Sequence, residues 1–111
     1  EVSVCGKTKV SQLSDGEITT YFINPEDFGV ERASPGEIAG GDRKESAKIL
    51  RDVLNCKEEG AKRDVVLLNA AAAIFAADEA GSIGEGFEIA KDVLESGQAA
   101  DKLEEFVRFA K

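Results

Sequence analysis

A chain of 111 residues suits one domain rather than several, and a composition 42% hydrophobic and 32% charged excludes both a disordered tail and a membrane-embedded protein. The net charge of −8, with no basic stripe to offset it, argues against nucleic acid or an anionic membrane surface as partner, because both would repel the chain. The chain has no His, so the commonest general base and neutral metal ligand are absent, and any chemistry falls to carboxylates, Lys, Cys or the backbone.

Large groups to fill a core are few: six Phe, one Tyr, no Trp and no Met. Ala, Val, Ile and Leu must therefore do most of the packing. Cys5 and Cys56 stand alone, without CxxC spacing, and read as two reduced thiols in a cytoplasmic protein rather than as a disulfide or a nucleophile. Glu1 in place of Met reads as an internal start, with more of the protein expected upstream.

In chain order, Glu1 to Val4 reads as a short strand and Cys5-Gly6-Lys7 as a turn. Thr8 to Leu13 and Glu17 to Ile23 flank Ser14-Asp15-Gly16, a hairpin signal. Ile18, Thr20 and Phe22 alternate with Thr19, Tyr21 and Ile23, so both faces carry apolar residues, and the strand is expected to be covered on both sides. Asn24-Pro25-Glu26-Asp27-Phe28-Gly29 reads as one helical turn, whose acids would repel a phosphate.

Helices are expected from Ser34 onward. Ser34 to Glu37 and Asp42 to Glu45 have capping-box spacing. After Asp42, a stripe of Ala47, Leu50 and Leu54, with Val53 beside it, is expected to be buried. Cys56 to Gly60 is a polar loop. The run from Val65 to Ala77 is apolar on every side yet too short to cross a bilayer, and so predicts a central helix surrounded by others. Ser82 to Glu85 opens the next helix, with a stripe of Ile83, Phe87, Ala90 and Leu94, and Gly97 is its expected stop. The last helix presents Ala99, Leu103, Phe106, Val107 and Ala110. The expected class is mixed α/β: one unit over residues 1–111, with strands in 1–23 and about four helices in 34–111 around the apolar one.

Composition and spacing alone announce no reaction, and no residue reads as catalytic or cofactor-binding. Asp42, Glu45, Glu58 and Glu59 read as caps and solvated surface, Lys7 as a solvated charge, and Arg63-Asp64 as an ion pair or cap. Asn69, a lone amide in the apolar helix, must be hydrogen-bonded and reads as a tie to a neighbouring segment before it reads as a ligand contact.

Several stretches taken together resemble one family. Asp15-Gly16-Glu17-Ile18, Ile23-Asn24-Pro25-Glu26-Asp27-Phe28-Gly29, Arg32-Ala33-Ser34, Gly40-Gly41-Asp42, and Arg63-Asp64 running into Val66-Leu67-Leu68-Asn69-Ala70-Ala71-Ala72-Ala73 are similar, in this order, to the C-terminal third of anthranilate phosphoribosyltransferases. Glu85-Gly86 and Ser96-Gly97-Gln98-Ala99 extend the likeness. The resemblance implies a fragment of a larger α/β domain, from an enzyme of tryptophan biosynthesis in which the anthranilate amine attacks C1 of phosphoribosyl pyrophosphate. It implies Mg on the pyrophosphate, a homodimer for the full-length protein, and a glycine-rich loop and substrate-specifying residues upstream of Glu1. Glu1-Val2-Ser3 is similar to the second half of the family's Mg-binding Asp-Glu pair, so the resemblance makes Glu1 the one metal ligand in the chain. The isolated chain is expected to be inactive and not to retain Mg. The competing readings are a pyrimidine nucleoside phosphorylase or paralogous transferase on the same scaffold, and a non-catalytic interaction module.

Overall fold

Asp15 and Gly16 hold positive φ values of 51° and 78°, the two left-handed conformations that a two-residue type I′ hairpin turn requires. In the computed structural model, which describes residues 1–111, this turn joins β1 (Thr8–Ser14) to β2 (Glu17–Ile23) as an antiparallel pair. The register runs from Ser14 opposite Glu17 to Thr8 opposite Ile23. Cross-strand side chains reinforce it: the Ser11 and Thr20 hydroxyls lie 3.1 Å apart, and the Tyr21 hydroxyl donates to Gln12 Oε1 at 2.9 Å.

The next segment turns once as a 3-10 helix, Pro25–Phe28, which Gly29 closes at φ 74°. The Asn24 backbone N–H donates to Asp27 Oδ2 at 2.7 Å, and Arg32 clamps the turn from outside. Its guanidinium donates to both Glu26 carboxylate oxygens, at 2.9 and 3.2 Å, and to Asn24 Oδ1 at 3.0 Å. The hydrogen bond from Arg32 holds the Glu26 carboxyl below its ordinary value of 4.5. A depressed carboxyl pKa contributes stability at pH values above the ordinary value, and that contribution is lost as pH falls through the folded value. The pair is exposed, so the effect is small. Carboxyl NMR titration should place Glu26 below the ordinary glutamate value, and Arg32→Ala should return it toward that value.

A second 3-10 turn, Pro35–Ile38, leads to four helices: α1 (Arg43–Leu54), α2 (Ala61–Ala76), α3 (Ile83–Ser96) and α4 (Gln98–Ala110). Their ends follow the sequence chemistry. Asp42 Oδ1 accepts from the Glu45 N–H at 2.9 Å, Ser82 Oγ accepts from the Glu85 N–H at 3.0 Å, and Gly97 at φ 87° stops α3 before α4 begins. Among these helices α2 is the hub. No residue from Ala61 to Ala72 is exposed, and Leu67, Leu68 and Ala71 are buried.

Two apolar clusters meet on α2. Val2, Val4, Ile23, Val30, Leu68, Ala71 and Ile83 join the N-terminal segment and the hairpin base to one side of it. Leu67, Ala90 and Leu94 fill the contact with α3. The two helices approach closely because α3 has a glycine at the crossing: a Cβ on Gly86 would lie 2.5 Å from the Ala71 carbonyl oxygen.

Four expectations change. Glu1 to Val4 pairs with no strand, although Val2 and Val4 are buried. Its backbone is satisfied instead by the Asn69 side chain and by the Ala33 N–H, which donates to Val4 O at 2.9 Å. The hairpin is covered on one face only. Tyr21 and Ile23 turn inward, whereas Leu13, Ile18 and Phe22 are exposed, because nothing in the chain packs over that face. On α1 the buried residue is Val53, with Ile49 and Leu54 half-buried and Ala47 and Leu50 exposed. On α4, Leu103 and Val107 are half-buried, whereas Phe106 and Ala110 face out. Both outer helices touch the α2–α3 core along a narrow line rather than a full stripe. The result is a thin core: 13 of 111 residues are buried, and the Cα radius of gyration is 14.9 Å against about 13 Å for a compact domain of this length.

Candidate functional site

The inward face of the hairpin and the C-terminal half of α2 do not close on each other. Between them lies an open cleft of about 800 Å³, walled by Val10, Gln12 and Tyr21 on the hairpin and by Ala72 and Phe75 on α2, with Glu1 and Asn69 also lining it. The cleft walls follow from periodicity. Val10 and Gln12 alternate with outward residues on β1, and Asn69, Ala72 and Ala76 recur at helical spacing on α2.

Asn69 is the polar centre. Its Oδ1 accepts from the Val2 N–H at 2.8 Å, and its Nδ2 donates to Val2 O at 2.9 Å and to Val65 O at 2.9 Å. The side-chain amide thus pairs with both backbone groups of one residue, as a neighbouring strand would, and its two N–H donors are both used. The expected structural tie is observed, and its partner is the residue next to Glu1.

Glu1 is exposed at the cleft. No group of three or more acidic, Cys or His side chains capable of holding a metal forms in the chain, so its own residues make no closed metal cage. Mg, however, is commonly bound through one or two carboxylates plus substrate phosphates and water, and a single exposed carboxylate on a cleft fits one ligand position of that kind.

The other charged candidates lie elsewhere. Lys7 Nζ sits 4.6 Å from the centre of the Phe22 ring rather than on the cleft wall. Arg63 pairs with Glu95 of α3 at 3.2 Å and not with Asp64, so of the two expectations for Arg63-Asp64, ion pair or cap, the ion pair forms with another partner, because α3 presents a carboxylate across the helix contact. Asp64, in the first turn of α2, has its carboxyl pushed up by burial; the positive charge of Arg63 opposes this and the negative charge of Glu31 adds to it. Cys5 and Cys56 are both free thiols, and Cys56 Sγ contacts Leu94 O at 3.5 Å. Sequence reasoning missed Gln12, Tyr21 and Phe75 as cleft residues. The alternation of Gln12 and Tyr21 on the strands and the place of Phe75 on the apolar helix were visible, but nothing local revealed that the hairpin face would stand off from α2 instead of packing against it.

A hairpin followed by four helices, with an open cleft between sheet and hub helix, defines part of a mixed α/β domain. Comparison with known proteins makes this specific. The glycosyl transferase family, a/b domain, matches residues 1–100, and the chain belongs to that family. Over all 111 residues it is 45% identical to an anthranilate phosphoribosyltransferase of Desulfosudis oleivorans and 49% identical to one of Rubrobacter xylanophilus. It spans only about a third of their length, 33% and 32%. Among solved structures, the anthranilate phosphoribosyltransferase of Thermus thermophilus superposes with a TM-score of 0.85 at 35% identity, covering 95% of this chain and 31% of that one. The Saccharomyces cerevisiae enzyme in complex with 4-fluoroanthranilate superposes at 0.84 and 30% identity, covering 97% and 32%.

Proposed function

We propose that residues 1–111 form the C-terminal part of the α/β domain of an anthranilate phosphoribosyltransferase, a cytoplasmic, homodimeric enzyme of tryptophan biosynthesis that transfers phosphoribose from phosphoribosyl pyrophosphate to anthranilate. The observation that carries this reading is the collinear likeness of the whole chain to such enzymes, at 45% and 49% identity over its full length. The thin core and the open hairpin face of Leu13, Ile18 and Phe22 agree with a unit that packs against further structure.

In this reading the chain supplies one wall of the substrate cleft and the hub helix behind it. Glu1 would hold Mg through a carboxylate oxygen, as one of the one or two carboxylates that such a metal commonly takes beside substrate phosphates and water. When bound, Mg neutralises charge on the departing pyrophosphate. The chain's own work is positional: α2 fixes the segment that carries Glu1, and the α2–α3 contact keeps α2 in place. The anthranilate amine forms the new bond to C1 of the ribose as the bond to pyrophosphate breaks, a step favoured chiefly by orientation and electrostatics.

The test is turnover. A longer protein carrying this sequence should consume anthranilate with phosphoribosyl pyrophosphate, followed by loss of anthranilate fluorescence, and the 111-residue chain alone should give none. Phosphorolysis of pyrimidine nucleosides without anthranilate turnover would transfer the reading to the phosphorylase on the same scaffold. Activity of the short chain by itself would refute the division of labour proposed here.

A further inference from the structure

We infer that Asn69 is a positioning residue for the Glu1 carboxylate, acting through the backbone of Val2. This rests on the reading of Glu1 as a Mg ligand and goes beyond it. The ligand segment is irregular: Glu1 to Val4 belongs to no sheet, so no ladder of hydrogen bonds sets where Glu1 points. Thr8 Oγ1 accepts from the Ser3 N–H at 3.0 Å and Val4 O accepts from the Ala33 N–H at 2.9 Å, but at Val2, next to Glu1, the contact that replaces a ladder is made by one side chain. Asn69 takes the Val2 N–H at 2.8 Å and gives a hydrogen bond to Val2 O at 2.9 Å. Two bonds of opposite sense to one residue fix both the position of that residue and the rotation of its peptide planes. The Val2 N–H belongs to the peptide that links Glu1 to Val2, so its orientation is transmitted directly to Glu1.

The clamp is itself rigid. Nδ2 also donates to Val65 O one helical turn earlier, at 2.9 Å, which fixes the rotamer of the amide. Val2 is buried beside it in a cluster containing Leu68 and Ala71 of the same helix. Asn69 and Glu1 line the same cleft, so this support stands behind the ligand and not on a remote surface. The arrangement has the logic of an outer-shell contact at a metal site, where the residue that orients a ligand typically changes metal affinity about ten- to hundredfold when removed.

The measurement is Mg dependence in the full-length protein carrying this sequence. It is read as the Mg concentration giving half-maximal turnover and, independently of turnover, as Mn binding followed by electron paramagnetic resonance with phosphoribosyl pyrophosphate present and anthranilate absent. Asn69→Leu should weaken both about tenfold. Glu1→Gln should weaken them at least as much. The double variant should match Glu1→Gln alone, because orientation no longer matters once the ligand is gone. Val53→Ala removes buried volume on α1, outside the cluster that holds Val2, and should lower the thermal midpoint while leaving metal affinity unchanged. Should Asn69→Leu fail to fold, Asn69→Ser serves in its place, since one hydroxyl cannot span both Val2 groups. Additive effects of the two substitutions, or metal affinity unchanged in the Asn69 variants while Glu1→Gln weakens it, would overturn the positioning role and leave Glu1 as a ligand. Unchanged affinity in Glu1→Gln would overturn both.

Discussion

Replacing Gly86 with Val should lower stability by about 3 kcal/mol, the sum of overpacking against a backbone that cannot yield and a branched side chain in a crowded helix. A Cβ at this position meets the Ala71 carbonyl oxygen at 2.5 Å, with the Ala71 carbonyl carbon and Cα at 3.2 and 3.3 Å. These are backbone atoms of the hub helix, so the clash is relieved only by moving α3 away from α2. That movement loosens Leu67, Ala90 and Leu94 together. A loss of this size shifts the thermal midpoint of a domain of this length by roughly 10 °C or more. Gly86→Ala should have the same sign and a smaller size, because about 1 kcal/mol of helix propensity is recovered. Gly84, two residues away on the same helix, is the control: its added Cβ would meet only Ser82 Oγ at 3.8 Å. Gly84→Ala should be neutral or slightly stabilising in the same denaturant titrations. Equal losses at both positions would mean that glycine matters here for flexibility and not for close approach.

Why Gly86 was silent in the sequence while other glycines spoke is a matter of range. Asp15-Gly16 and Gly97 act through their own backbone angles, and local chemistry announces them. So do the caps at Asp42 and Ser82, each of which accepts from an amide three residues on. The hub helix was legible because a run apolar all round has one stable environment. Gly86 matters only because Ala71 arrives from another helix, and no pattern within α3 encodes that arrival. The same limit explains Phe106 and Leu50, which fit helical stripes but face out because α1 and α4 meet their neighbours along a narrow line. Ile18 and Phe22 also alternated correctly; what failed was the inference that an apolar face is covered by the chain that bears it. For the candidate site, the need of Asn69 for partners was readable from its place in an apolar run. That Val2 would supply them, 67 positions away, was not.

Asn69→Leu should cost about 2 to 4 kcal/mol, the second large effect. Three hydrogen bonds are lost, each worth about 1 kcal/mol net, and the Val2 N–H and C=O are left in a partly buried site with no replacement partner. Asn69→Asp separates these contributions. The carboxylate can still accept from the Val2 N–H, but an ionised group cannot donate to Val2 O or Val65 O, and it brings negative charge against both carbonyl oxygens. Its folded pKa should therefore rise above the ordinary value for Asp of about 3.9. A carboxyl raised on folding carries no ionisation penalty below its unfolded pKa and the full penalty above its folded one. The stability gap between Asn69→Asp and the parent should then widen as pH increases from about 4 and narrow in acid, where the protonated oxygen donates again. This is the reverse of the dependence expected at Glu26, whose depressed pKa makes acid the losing side. Stability curves at several pH values distinguish the two, and a gap that stays flat with pH would mean that the amide's donors contribute nothing to the clamp on Val2.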